Sequence, residues 1–207
     1  MVLGFTVGAE EAHTKGQAGV SMVSEWLNAT GRVRIARTVY DLNPRTGDPY
    51  TQVRVPLLDG SFERFDLMGQ LLDDDGSPGN TIYVESKFYS SAGNQGVLYR
   101  EYLAVCYSAF AKATSDLEAP ASIEFMWATT HPFSQTDWAQ LTAEPAIAAA
   151  CAEHAGRLNG VPYDPAAGSA LSERLWLAVV HGRTEELIMG TELRKAVVSR
   201  LVEMGVL

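Results

Sequence analysis

Phe62-Glu63-Arg64-Phe65-Asp66-Leu67-Met68 leads, through an acidic, turn-rich connection over Asp73–Asn80, into Thr81-Ile82-Tyr83-Val84-Glu85-Ser86-Lys87-Phe88-Tyr89. Gln95-Gly96-Val97-Leu98-Tyr99-Arg100-Glu101-Tyr102 follows. The β-branched and aromatic residues of Thr81–Tyr89 suit a strand. Alternation sends Ile82, Val84, Ser86 and Phe88 to one face, and Tyr83, Glu85, Lys87 and Tyr89 to the other. An acid and a lysine two apart therefore sit side by side. Ser61–Met68 is a candidate neighbouring strand with Asp66 near its end. Pairing the two as a hairpin would bring Asp66 towards Glu85. Leu98, Tyr102, Val105, Cys106 and Ala109 recur at helical spacing, so Gln95–Lys112 reads as a helix with Gln95 and Tyr99 on one face.

Two close carboxylates repel, and both stay ionised most readily with a cation between them. Hard oxygen ligands that leave room for water and phosphate suit Mg²⁺ or Mn²⁺. Such an ion polarises a phosphodiester and lowers the pKa of a bound water. Lys87, beside that site, is placed to orient the water or to stabilise developing negative charge.

Outward from this stretch, His13–Asn28 has an apolar stripe of Val20, Val23, Trp26 and Leu27 at helical spacing, with Thr30-Gly31 as its stop. Glu25 lies beside the stripe, as a site residue or as a solvated surface glutamate. Arg32–Leu42 and Tyr50–Leu57 read as strands, and Asp59-Gly60 as a tight turn into the Asp66 strand. Ser122–Thr130 reads as a buried strand parallel to the Glu85 strand, because a helix joins them. Beyond it, Thr136–Gly156 reads as helical with a bend at Pro145, Asn159–Gly168 as a loop, and Ser172–His181 and Thr191–Met204 as helices.

The ordered set of Asp66, Glu85-Ser86-Lys87 and Gln95-x-x-x-Tyr99 resembles the PD-(D/E)XK nuclease superfamily, in its RecB-like branch. Phe65 stands where that family usually has proline. The resemblance implies an α/β, restriction-endonuclease-like core over residues 1–135, a central mixed sheet flanked by helices. Residues 136–207 would form a helical extension packed on that core. It also implies a Mg²⁺-dependent deoxyribonuclease. Asp66, Glu85, Glu25 and the Ser86 carbonyl would hold metal. Lys87 would act on water or charge, and Gln95, Tyr99 and Arg100 would meet substrate. A different class of function, a non-catalytic nucleic-acid-binding or assembly subunit of the same fold, remains open. So does an unrelated α/β protein, should Asp66 and Glu85 lie far apart.

The chain of 207 residues carries a net charge of −9, where proteins that grip nucleic acid unaided are usually basic. Residues 1–60 are balanced, with six acids and six bases, and Arg32, Arg34, Arg37, Arg54 and Arg64 offer a local basic face. The acidity suggests a homo-oligomer or a partner protein. No apolar run approaches the roughly 20 residues of a bilayer span. Two cysteines, Cys106 and Cys151, are too few for a disulfide framework, which with the lack of a signal peptide fits the cytoplasm. The absence of a phosphate-cradling Gly loop, a Gly-x-Ser-x-Gly elbow and a Cys/His zinc set weighs against ATP, serine-hydrolase and zinc chemistry.

Overall fold

The computed structural model describes residues 7–89, 91, 93–117, 121–181, 195–197, 199, 200, 203 and 204. The chain opens with helix α1 (Val7–Thr30) and strand β1 (Val33–Thr38). A short pair follows, β2 (Arg54–Pro56) and β3 (Phe62–Arg64), then β4 (Leu67–Leu72) and β5 (Pro78–Lys87). Helix α2 (Gln95–Leu117) crosses over to β6 (Ile123–Thr129). Helices α3 (Glu144–Glu153) and α4 (Pro165–Ser172) lead to β7 (Leu175–Val179).

The main sheet has the order β1-β4-β5-β6-β7. Its first three strands are antiparallel to their neighbours, whereas β5, β6 and β7 run parallel. The parallel β5–β6 pairing follows from the α2 crossover, as the sequence predicts.

The sheet is the middle of three layers. On one face Val20, Val23 and Leu27 of α1 pack on Val33, Leu67, Ile82, Val84, Met126 and Ala128. Thr30 Oγ1 donates to the Leu27 carbonyl at 2.6 Å, and Gly31 takes φ +71°, ending α1 where a Cβ would be strained. On the other face α2, α3 and α4 cover Phe65, Phe125, Trp127 and Leu175. The alternation read along β5 holds: Ile82 and Val84 belong to the α1 side, and Tyr83 to the α2 side. Cys106 and Cys151 are buried in the α2–α3 layer as free thiols.

Several boundaries differ from the sequence expectation. Ser61–Met68 is not one strand: β3 pairs with β2 in a separate two-stranded sheet, and β4 begins only at Leu67. The cause is Phe65, buried among Tyr83, Tyr102 and Phe125 with ring centroids 5.5–6.3 Å away. Its backbone N–H bonds the Val53 carbonyl at 2.9 Å, so the chain turns at Phe65-Asp66 to pass from one sheet to the other. The expected strand over Tyr50–Leu57 shrinks to β2.

Pro145 does not bend a helix. It lies in the first turn of α3, where its missing N–H costs nothing, after a 3₁₀ segment at Gln135–Gln140. The loop over Asn159–Gly168 ends early, because Asp164 caps α4 by accepting from Ala166 N–H.

The largest correction is Ser172–His181. Its Leu-Trp-Leu-Ala-Val run forms β7, parallel to β6, so the segment after residue 135 is not a purely helical extension but supplies a strand of the core sheet. The expected helix over Thr191–Met204 lies in part outside the described residues; those described at 195–197, 199, 200 and 203 are helical.

Candidate active site

The β4–β5 register places Leu67 opposite Val84, so Asp66 arrives beside the Glu85 end of β5. Asp66 Oδ2 accepts the Ser86 backbone N–H at 2.8 Å. Lys87 Nζ donates to Glu85 Oε1 at 2.5 Å and stands 5.3 Å from the centre of the Trp127 ring. The side chains of Glu85 and Lys87 are about four-fifths buried, at 21% and 23% exposure. Asp66, Glu85, Ser86 and Lys87 line one hollow of about 360 Å³ with Lys15, Gly16, Tyr40, Phe88 and Tyr89. Glu85 and Lys87 also line a second hollow of about 170 Å³ on the α2 side, with Glu63, Glu101, Trp127 and Arg157. Of the expected site residues, Asp66, Glu85, Ser86 and Lys87 thus share one hollow.

The charges are unevenly matched. Burial pushes the Glu85 carboxyl up to about 7; the Asp66 charge adds to this, and Lys87 opposes it. Burial also raises Asp66, against the Ser86 N–H, Lys87 and Arg64. Burial works against the Lys87 ammonium, but Glu85 and Asp66 hold its pKa above the ordinary lysine value. The ammonium thus bonds Glu85 directly and feels Asp66 only through its charge. A divalent cation between the two acids would remove the repulsion that raises Glu85.

Mg²⁺ is commonly held by one or two carboxylates, with water and substrate phosphate completing the shell. Asp66 and Glu85 fit that pattern. No described cluster of three or more His, Cys, Asp or Glu side chains is arranged to hold a metal.

The other expected site residues lie elsewhere. Glu25 lines a different hollow, with Gln17, Ser21, Thr38, Tyr40 and Asp41, that includes neither Asp66 nor Glu85, although Tyr40 borders both. Gln95 is fully buried: Nε2 donates to the His131 carbonyl at 3.1 Å, and Oε1 accepts from Thr129 Oγ1 at 2.6 Å. Tyr99 is 1% exposed, donates to the Leu141 carbonyl at 3.1 Å, and packs on Tyr102, Trp127 and Phe133. Both residues fasten α2 to β6 and to the chain beyond it, and neither lines a hollow at Glu85. Arg100 pairs with Glu153 at 2.8 Å on the α2–α3 surface.

Three of the five arginines have partners, and Arg54 and Arg64 face each other across the β2–β3 pair. Arg32 pairs with Asp74, Arg37 stacks over Tyr50 at 4.3 Å, and Arg64 donates to the Val39 carbonyl.

Sequence reasoning missed Glu63, Glu101, Trp127 and Arg157 as neighbours of Glu85. Arg157 arrives through its 3.0 Å ion pair with Glu101, from a 3₁₀ turn after α3 that no local pattern connects to the sheet. No family model, no curated protein and no solved structure matches this chain.

Proposed function

We propose that the chain is a metal-dependent nuclease that hydrolyses phosphodiester bonds, with DNA as its substrate. The observation that carries this reading is the meeting of Asp66, Glu85 and Lys87 at the end of β5, two partly buried acids beside one ammonium. Asp66 and Glu85 would hold Mg²⁺ or Mn²⁺, with the Ser86 carbonyl beside them. The bound ion would polarise the phosphodiester and make its water more acidic.

The chain's own residues do the rest. The Ser86 N–H fixes the direction of the Asp66 carboxylate through Oδ2, leaving Oδ1 for other ligands. Glu85 holds Lys87 at 2.5 Å, which keeps the ammonium at the site, where it would stabilise the negative charge developing on a phosphate. Burial of this pair strengthens both effects by thinning the solvent screen.

The test is a metal titration with plasmid and single-stranded substrates. Mg²⁺ is expected to switch on cleavage, and Lys87→Ala to reduce it by about 10³-fold with the circular dichroism spectrum unchanged. Undiminished cleavage by Lys87→Ala overturns the assignment. Mn²⁺ binding followed by calorimetry should vanish in Glu85→Gln. Retained binding there moves the metal away from Glu85.

A further inference from the structure

Beyond Lys87, the chain leaves β5 but is still held in place. Tyr89 N–H donates to Thr130 Oγ1 at 3.0 Å, and the same hydroxyl donates back to the Tyr89 carbonyl at 2.7 Å. From the opposite side α1 approaches Phe88 so closely that a Cβ added at Gly19 would lie 2.5 Å from the Phe88 Cβ. This close fit admits only glycine at position 19 without a shift. The segment is therefore built from both layers, yet Phe88 and Tyr89 remain 42% and 37% exposed. Both rings line a hollow of about 550 Å³ with Lys15, Met22, Thr130, His131 and His181. Lys15, Phe88 and Tyr89 also line the hollow that holds Asp66, Glu85 and Lys87, so the two spaces adjoin.

Two exposed aromatic side chains on a backbone that is held in place, next to the proposed phosphodiester site, with a lysine and two histidines around them, match the chemistry of an unstacked base. The net charge of −9 adds a second reason. An acidic chain gains little from gripping a duplex backbone by charge and needs a contact that salt does not screen. Base–aromatic stacking supplies one and tolerates any base.

We infer that the hollow beside Lys87 takes an unpaired base of a single-stranded nucleic acid, stacked on Phe88 and Tyr89, while the adjoining phosphodiester lies at Asp66, Glu85 and Lys87. This deepens the nuclease reading and rests on it for the placement of the phosphate. The sugar of the strand is left to the test, because stacking does not distinguish deoxyribose from ribose.

The experiment measures fluorescence anisotropy in the Lys87→Ala background with Mg²⁺, using labelled oligodeoxythymidine, oligouridine and a blunt DNA duplex. At least one single strand should bind about 10-fold or more tightly than the duplex, with a shallow dependence on salt. Phe88→Ala and Tyr89→Ala should each weaken single-strand binding about 5- to 100-fold and leave duplex binding unchanged. Tyr89→Phe, which keeps the ring, should restore it and controls for folding. Equal affinity for duplex, or full single-strand affinity in the alanine variants, overturns the inference. Cleavage by the chain carrying the native Lys87 is scored separately. Stacking-dependent binding without metal-dependent cleavage removes the hydrolytic reading alone. Cleavage that is indifferent to Phe88 and Tyr89 removes the stacking hollow alone.

Discussion

Two glutamates of the central sheet are shielded from water and differ in what surrounds them. Glu124, in β6 and 8% exposed, accepts from Asn80 Nδ2 at 2.8 Å and from Trp176 Nε1 at 2.5 Å. Its partners are neutral donors from the two flanking strands, so it ties β5, β6 and β7 together. Glu85, near the opposite end of β5, has an ammonium on one oxygen and a second acid nearby. A buried carboxylate supplied with donors is a fastener. A buried carboxylate crowded by another acid is a source of charge for chemistry. The same contrast separates Gln95, whose amide is satisfied at both ends, from the acid-rich hollow around Glu85.

Substitutions can break this contrast. The widest separation is expected in activity: Glu85→Ala should lower metal-dependent cleavage by about 10³-fold, and Glu124→Ala should leave cleavage per folded molecule within about two-fold. Comparable losses in both, measured with a titrated folded fraction, would erase the distinction. Stability should show the reverse order. Glu124→Ala removes the bonds to Asn80 and Trp176 and should cost about 1–2 kcal/mol in urea unfolding. Gln95→Ala removes two bonds from a fully buried amide, to Thr129 and to the His131 carbonyl, and should cost about 1–3 kcal/mol, with cleavage unchanged once folding is corrected. At pH 8 Glu85→Gln should be neutral or stabilising, because it removes a crowded buried charge.

The pH profile sharpens the point. The folded chain keeps a proton on Glu85 up to about pH 7, against an ordinary value of 4.5. Between those values the folded state holds the extra proton. Stability is therefore full below about 4.5, falls as pH rises towards 7, and levels off above it. The fall should be about 1–3 kcal/mol, and Glu85→Gln should flatten it. A profile that rises across this window in the native chain would contradict the crowding of the two acids. Glu25→Ala is expected to change cleavage by less than about two-fold, because neither Asp66 nor Glu85 lines its hollow.

Helices α1 and α2 and strands β1, β5 and β6 were legible because each carried its own period, whereas β3 and β4 were read as one strand. The Ile82/Val84 alternation and the stripe of Val20, Val23 and Leu27 both survive in the folded core. The meeting of Asp66 with Glu85 was also readable, since a hairpin joining adjacent strands leaves few registers. The failures have physical causes. Leu175–Val179 is apolar on consecutive positions, and a short buried run of that kind fits helix or strand until its neighbours are known. Gln95 and Tyr99 were correctly placed on one helical face, but which neighbours that face meets depends on His131, Thr129 and Leu141. Those partners lie 34 to 42 positions away. Phe65 looked like a substitution inside a strand, whereas its burial against three rings is what turns the chain and delivers Asp66.

The two cysteines have a practical corollary. Cys106 on α2 and Cys151 on α3 are shielded in the closed fold, and burial pushes the Cys151 thiol up to about 12 and the Cys106 thiol well above its ordinary value. At neutral pH neither offers an alkylating reagent an accessible thiolate. The rate at which a maleimide reaches them in native buffer is then a built-in clock for the parting of α2 from α3. A single cysteine engineered on the surface would be labelled against an almost silent background.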